Sequence, residues 1–348
     1  MPESLLIYGS YGYTGELIVQ RAMELGLRPI LAGRSAEKVS QQAARHGLEH
    51  RAFALERPED VAGGLAGCKA VIHCAGPFSR TAKAMAAGCM KAGTHYLDIT
   101  GEIEVFEAMA ALGREAEAAG VMLMPGTGFD VVPSDCLAAH MKSRLPGAQT
   151  LLLAFHSAGR TSHGTALTMA ENIHKGGMIR KGGALTSVPG AYRIREIDFG
   201  DAHRVAMTIP WGDVSTAFYS TGIPNIEVYM AAPLGLRLAS SASRYIGGLL
   251  GSAPVQQFIQ GRIPAGGPSP EERARGYCLL WAEATDAAGT SVRARLKTPE
   301  GYTLTAMTAV GIAQKVLAGN FKTGFQTPGM AYGKDLILEF GNCVRTDE

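Results

Sequence analysis

What the sequence lacks narrows the reading first. Its six cysteines (Cys68, Cys74, Cys89, Cys136, Cys278, Cys343) form no Cys-x-x-Cys pair. That argues against a zinc site or a disulfide framework and for reduced, mostly buried thiols. No His-Glu-x-x-His, Ser-His-Asp pattern or metal-ligand spacing occurs, so no metal is expected. Lysines and arginines do not cluster with aromatics, and a net charge of +2 gives no reason to expect a nucleic-acid partner. Uncharged apolar runs fall short of the about 18 residues that a bilayer span needs. The chain opens straight into a strand-like run, so the expectation is no secretory signal and a soluble, cytoplasmic protein. With 348 residues, 46% of them hydrophobic, it can bury a large core, and two domains are expected.

What is present begins at Leu5-Leu6-Ile7-Tyr8, an apolar run that ends in Gly9-Ser10-Tyr11-Gly12-Tyr13-Thr14-Gly15. A helical pattern follows at once through Leu17, Ile18, Ala22 and Leu25. Strand, tight glycine turn and helix start together make a dinucleotide cradle, in which backbone amides at a helix N-terminus face a pyrophosphate. The spacing alone is weak in a chain with 44 glycines; the flanking strand and helix give it weight. After the second strand, Pro29–Ala32, an NAD site would carry a carboxylate for the ribose 2′-hydroxyl. None is there. Arg34, Ser35 and Lys38 follow instead, a set suited to a 2′-phosphate and therefore to NADP. Ser35 can also cap the next helix.

Strands and helices then alternate. Helices are expected over 36–46, 58–66, 79–92 and 105–119, and strands at Arg51–Ala54, Ala70–Cys74, His95–Asp98 and Val121–Met124. The tip Ala75-Gly76-Pro77-Phe78 can lie beside the cofactor, with Phe78 walling the nicotinamide. The expected fold is α/β: a Rossmann-type doubly wound parallel sheet over residues 1–128, with Gly126 in its last tip. A second, α+β and mostly antiparallel substrate domain is expected over 129–327. A helix from about 328 to 348 is expected to return to the first domain. Within the second half the pattern gives helices over 134–145, 164–175 and 304–318. It also gives a hairpin with Arg180-Lys181-Gly182-Gly183 at a solvated tip, and another around Asp286–Gly289. Pro233–Arg262 is apolar, with arginines as its only charges, and suits packed helices, an acyl-chain tunnel or an interfacial membrane helix.

Taken together, these motifs resemble the saccharopine-dehydrogenase-like NADP-binding oxidoreductases, and more narrowly their trans-acting enoyl reductase branch. The resemblance is carried by the turn from Tyr8 to Gly15, Leu31–Arg34, Cys74–Phe78, Tyr96–Asp98 and Gly128–Asp135. It continues through Pro210–Asp213, Thr221–Tyr229, Gly267–Gly276, Tyr302–Thr305 and Thr327-Pro328. It implies the fold and the cofactor NADP. It also implies either reduction of double bonds in lipid- or polyketide-like substrates or chemistry at the C–N bond of an amino-acid adduct.

Hydride transfer needs a closed site, and enoyl reduction also needs an oxyanion donor and an acid. Asp130, after a Gly-x-Gly bend, is the first candidate, as proton relay or substrate-orienting group; the resemblance aligns it with the aspartate of a Pro-Gly-x-Asp stretch. Capping the next helix is its alternative role. Tyr96 is either an oxyanion donor or core; Asp98 is either a ribose ligand or a cap. His163 is either an acid or a solvated loop residue, and Asp213 is read as an N-cap. The leading expectation is an NADPH-dependent reductase of a hydrophobic enoyl or enone. The alternatives are a saccharopine-type dehydrogenase and a non-catalytic NADP-binding scaffold at a lipid surface. A small hydrophobic substrate is the expected partner; peripheral membrane contact and a homodimer are compatible with the sequence.

Overall fold

Runs such as Leu5–Tyr8, Ile30–Ala32 and Ala70–Ile72 carry apolar side chains at successive positions, so both faces of such a strand must be covered. The computed structural model, which describes residues 4–164, 166–167, 176–250, 252–263 and 266–348, shows how. The chain divides into two units, 1–132 with 302–333 and 133–301 with 334–348.

The first unit runs β1 (Ser4–Tyr8), α1 (Tyr13–Glu24), β2 (Ile30–Gly33), α2 (Ala36–His46), β3 (His50–Ala52), α3 (Pro58–Gly64) and β4 (Cys68–His73). It continues with α4 (Phe78–Ala92), β5 (His95–Asp98), α5 (Ile103–Ala111), α6 (Gly113–Ala118) and β6 (Met122–Met124). Among the described residues the strands form one parallel sheet in the order β3-β2-β1-β4-β5-β6, and a short strand, Gly324–Phe325, adds beside β6. The order reverses between β1 and β4, which places the ligand crevice at the ends of those two strands.

Two expectations are corrected in this unit, and one unforeseen strand is added. The single helix expected over 105–119 is two helices, broken at Leu112–Gly113, where Phe325 packs close to Gly113. The seventh strand is only two residues long, too short for any periodicity. The helix Gly301–Leu317, expected to close the second domain, belongs here from Tyr302 onward. Seven of its apolar residues between Leu304 and Val316 are buried, so it is an interior helix; Leu317 O accepts from Lys69 Nζ at 3.0 Å.

The second unit contains α7 (Val132–Arg144) and then β7 (Ala148–Ala158), β8 (Gly177–Lys181), β9 (Ala184–Val188), β10 (Ile194–Asp198) and β11 (His203–Thr208). After α8 (Asp213–Thr221) and β12 (Asn225–Ala231) come α9 (Leu234–Leu250), α10 (Ala253–Gln260), α11 (Pro270–Arg275), β13 (Tyr277–Asp286) and β14 (Ser291–Pro299). The sheet order is β10-β11-β12-β7-β13-β14 followed by Val344–Asp347, with the β8–β9 hairpin off β12. Among the described pairs only β7–β12 is parallel. The sheet curls until Arg295 of β14 meets Asp198 of β10 across its face at 2.8 Å. Ile197, Phe199, Tyr229 and Trp281 are buried beneath that arm.

Here too the structure corrects the expectation. Most of the helix over 164–175, including Lys175, lies outside the described residues. Asp213 is the first residue of α8 and not its cap, which is Gly212. Arg180 is buried instead of solvated: its Nε donates to Val214 O at 2.9 Å and its guanidinium lies 4.2 Å from the Phe218 ring centroid. The helix expected over 328–348 is present only at its start, where residues 328–332 lie in the first unit. That short helix, Pro328–Tyr332, stops at Gly333 (φ +82°), and the chain ends as a strand on β14 in the second unit.

Candidate cofactor site

Two helices begin at the crevice, and only one is available to an anion. At the start of α4, Phe78 N and Ser79 N donate to the two carboxylate oxygens of Glu102 at 2.8 and 2.9 Å. A negative side chain already occupies that helix end. We expect Glu102→Ala to lower stability by about 1–2 kcal/mol, read from urea denaturation.

At α1 no side chain caps the helix. Glu16 N makes the first helical bond, to Gly12 O at 2.8 Å. The amides of Thr14 and Gly15 therefore have no carbonyl a turn below them and suit a phosphate. Gly9 stands at φ +78°, where a Cβ would lie 2.9 Å from Ala75 N; at Gly15 a Cβ would lie 2.3 Å from Gly9 O. Only glycine closes this loop, and the cradle fits a dinucleotide pyrophosphate. Ser10 is turned inward: its hydroxyl donates to Gln42 Oε1 at 2.7 Å, while Gln42 Nε2 returns a bond to Ser10 O at 2.8 Å. Gln42 also binds Glu16, which meets His46 at 2.9 Å. Ser10 thus ties the loop to α2, a role the sequence does not reveal.

At the tip of β2 the structure brings Tyr11, Arg34, Ser35 and Lys38 together. A Cβ at Gly33 would meet Cε1 of the Tyr11 ring at 2.4 Å, so the ring edge is close-packed on that glycine. Ser35 N donates to Tyr11 Oη at 3.3 Å, and Lys38 Nζ is 5.9 Å from the ring centroid. Ser35 also caps α2. Arg34 is exposed and no carboxylate lies in the tip Gly33–Ala36. Arg34→Ala is expected to weaken NADPH by about 10–100-fold and leave NADH unchanged, as calorimetry would read.

The β4 tip lies on the other side of the switch point. Thr81 Oγ1 donates to Ala75 O at 2.8 Å and sits within 3.1 Å of Pro77 O, fixing Ala75–Phe78 with the Gly76 backbone exposed. The peptides Gly76–Pro77 and Asp130–Val131 are cis. Phe78 stands edge-on to buried His73 at 5.4 Å. Burial alone holds the His73 imidazole down to about 3, so it stays neutral. Tyr302 meets Tyr13 edge-on at 5.2 Å, an addition to the cradle from 289 positions away that local pattern cannot reveal.

Tyr96 and Asp98 are not open to a ligand. Both are fully buried, and Tyr96 Oη donates to Asp98 Oδ2 at 2.5 Å. Thr100 N and Gly126 N donate to Asp98 Oδ1 at 3.0 and 2.8 Å. Burial pushes the Asp98 carboxyl up to about 6 against those bonds, and lifts the Tyr96 phenol further above its usual range. The pair staples β5 to the β6 tip, in place of binding a ribose or an oxyanion; Gly126 serves the same staple.

Asp130 differs. The turn from Gly126 to Val132 is closed by Val131 N to Gly126 O (3.2 Å) and Val132 N to Gly128 O (3.0 Å), and Phe129 N donates to Thr305 Oγ1 at 2.9 Å. That fixed turn presents a half-buried Asp130, close-packed on Gly101, where a Cβ would lie 2.9 Å from Asp130 Oδ2. Its carboxyl makes no hydrogen bond among the described residues, and burial raises it to about 7. It does not cap α7. His163 lies in the second unit, where its amide donates to Gly266 O at 2.7 Å and it borders a cavity with Arg160 and Thr161. Among the described residues no cluster suits a metal, and all six cysteines are free thiols.

Residues 5–124 match the saccharopine dehydrogenase NADP binding domain. A trans-acting enoyl reductase of Mycobacterium leprae is 30% identical over 139 residues, which is 38% of this chain and 33% of that relative. A saccharopine dehydrogenase-like oxidoreductase of Mus musculus is 28% identical over 179 residues, 44% of this chain and 41% of that one. The matches thus span well under half the length of either relative. Among solved structures, saccharopine dehydrogenase (L-Glu forming) from Saccharomyces cerevisiae superposes over 99% of this chain and 100% of that one. Its TM-score is 0.69 at 11% identity, a likeness of fold.

Proposed function

We propose, from the match of residues 5–124 to the saccharopine dehydrogenase NADP binding domain, that this chain is an NADPH-dependent reductase of a hydrophobic enoyl or enone compound. Bound NADPH supplies a hydride to an electron-poor carbon. The protein must then supply a proton, and the observation that carries this reading is Asp130. Its carboxyl makes no hydrogen bond among the described residues and is raised to about 7 by burial, in the turn that follows β6 of the sheet that carries the cradle. A group that titrates near the working pH is best placed to transfer a proton. Asp130 gives its proton to the carbon beside the substrate carbonyl, where the former double-bond pair forms the new C–H bond, and is reprotonated from water.

The charge pattern supports a substrate without paired carboxylates. An amino-acid adduct would need arginine forks around the reacting centre. The tips after β1, β4, β5 and β6 (residues 9–12, 74–77, 99–102 and 125–131) contain no lysine, arginine or histidine. The name of the Mycobacterium leprae relative points the same way. The test is NADPH consumption with alkyl enones and 2-enoyl thioesters, against pairs of an amino acid and a 2-oxo acid. Turnover with the first group alone is expected. Turnover with the second alone would replace this reading by C–N chemistry, and binding without any turnover would leave a scaffold.

A further inference from the structure

Between Glu227 and Glu271 the sequence contains no acidic residue; its only charges are three arginines, at 237, 244 and 262. This stretch carries α9 and α10, and it exposes large apolar side chains. Leu234, Leu238 and Phe258 are 60%, 61% and 62% exposed, with Leu236 beside them at 36%. Leu234 and Leu238 are one helical turn apart and share a face. The Arg262 guanidinium lies 3.7 Å from the Phe258 ring centroid. Neither Arg237 nor Arg262 has an ion-pair partner among the described residues, and Arg237 Nε is buried without a hydrogen bond. Elsewhere in the same unit several arginines are matched: Arg193 with Glu227, Arg195 and Arg293 with Glu283, Arg345 with Asp335.

We propose that the exposed face of α9 and α10 docks the protein on an anionic lipid surface. Leucines and a phenylalanine flanked by unmatched arginines have the composition of a segment that lies in the headgroup region, apolar side down. Among the described residues no helix is long and apolar enough to cross a membrane. A second copy of the chain is the poorer occupant, because a two-fold contact would bring the same unmatched arginines together. The inference does not depend on the chemistry assigned to Asp130.

The test is co-sedimentation of the full chain with phosphatidylglycerol-containing vesicles and with pure phosphatidylcholine vesicles. The expected result is binding to the anionic vesicles that weakens with salt, and little to the neutral ones. The triple variant Leu234→Glu, Leu238→Glu, Phe258→Glu is expected to lose that binding. Arg237→Gln with Arg262→Gln is expected to weaken it by about fivefold per arginine and flatten its salt dependence. All variants should keep wild-type NADPH affinity, which reports that the first unit is folded, and a wild-type circular dichroism spectrum. Equal binding by wild type and triple variant would overturn the proposal. So would absence of binding by the wild type, or a dimer in sedimentation velocity that the triple variant dissolves without any vesicle binding.

Discussion

Asp130→Asn is expected to lower turnover by roughly 10²–10³-fold while NADPH affinity stays within about twofold, because it removes the proposed proton donor without touching the cradle. The pH profile separates this from a steric effect. Wild-type kcat/KM should fall as pH rises through about 7, where the carboxyl loses its proton; the asparagine variant should lose that limb. Stability should move as well. The folded-state value lies above the ordinary 3.8 of an unfolded aspartate, so the native state holds the proton more tightly. Wild-type stability therefore declines as pH climbs from about 4 to 7, by at most roughly 4 kcal/mol. Asparagine cannot ionise, so its melting temperature relative to wild type should be higher at pH 8 than at pH 4. A kcat equal to wild type at every pH would remove Asp130 from the chemistry.

Gly15→Ala should abolish measurable NADPH binding, a loss beyond about 100-fold, and destabilise the fold by about 1–3 kcal/mol. The added Cβ would stand 2.3 Å from Gly9 O and 2.9 Å from Ser10 O, both backbone atoms. The loop has little room to give way, since Ser10 is tied to Gln42 on both its hydroxyl and its carbonyl. Gly12→Ala is the control. That site is exposed and its Cβ would stand 3.3 Å from Gly9 O, so binding should suffer far more than the melting temperature. Fluorescence titration with NADPH alongside thermal melts reads both quantities.

The cradle was legible because its information is local: a strand, three glycines and a helix in one window, with Arg34 at the end of the next strand. Side-chain direction was not legible. Asp98 sits at a strand tip, as a ribose ligand would, yet its oxygens point into the protein toward Tyr96, Thr100 and Gly126. Glu102 as a distant cap on α4 was equally hidden, because the bond joins positions 23 and 24 residues apart. The helix Gly301–Leu317 was recognisable as an apolar helix, but apolarity does not say which sheet buries it. Asp130 was a candidate from its bend; that its carboxyl makes no hydrogen bond among the described residues needed the folded turn.

That returning helix has a consequence for biosynthesis. Thr308 Oγ1 donates to Thr127 O at 2.7 Å, and Thr305 accepts from Phe129 N, so the loop bearing Asp130 is braced by groups translated long after it. While the ribosome is still making the intervening sheet, the nucleotide domain is a shell about four-fifths built, and the loop that bears Asp130 has nothing behind it. An excised fragment that stops near residue 128 would inherit that defect permanently. A graft that carries the loop through residue 132 and appends residues 301–333 would not.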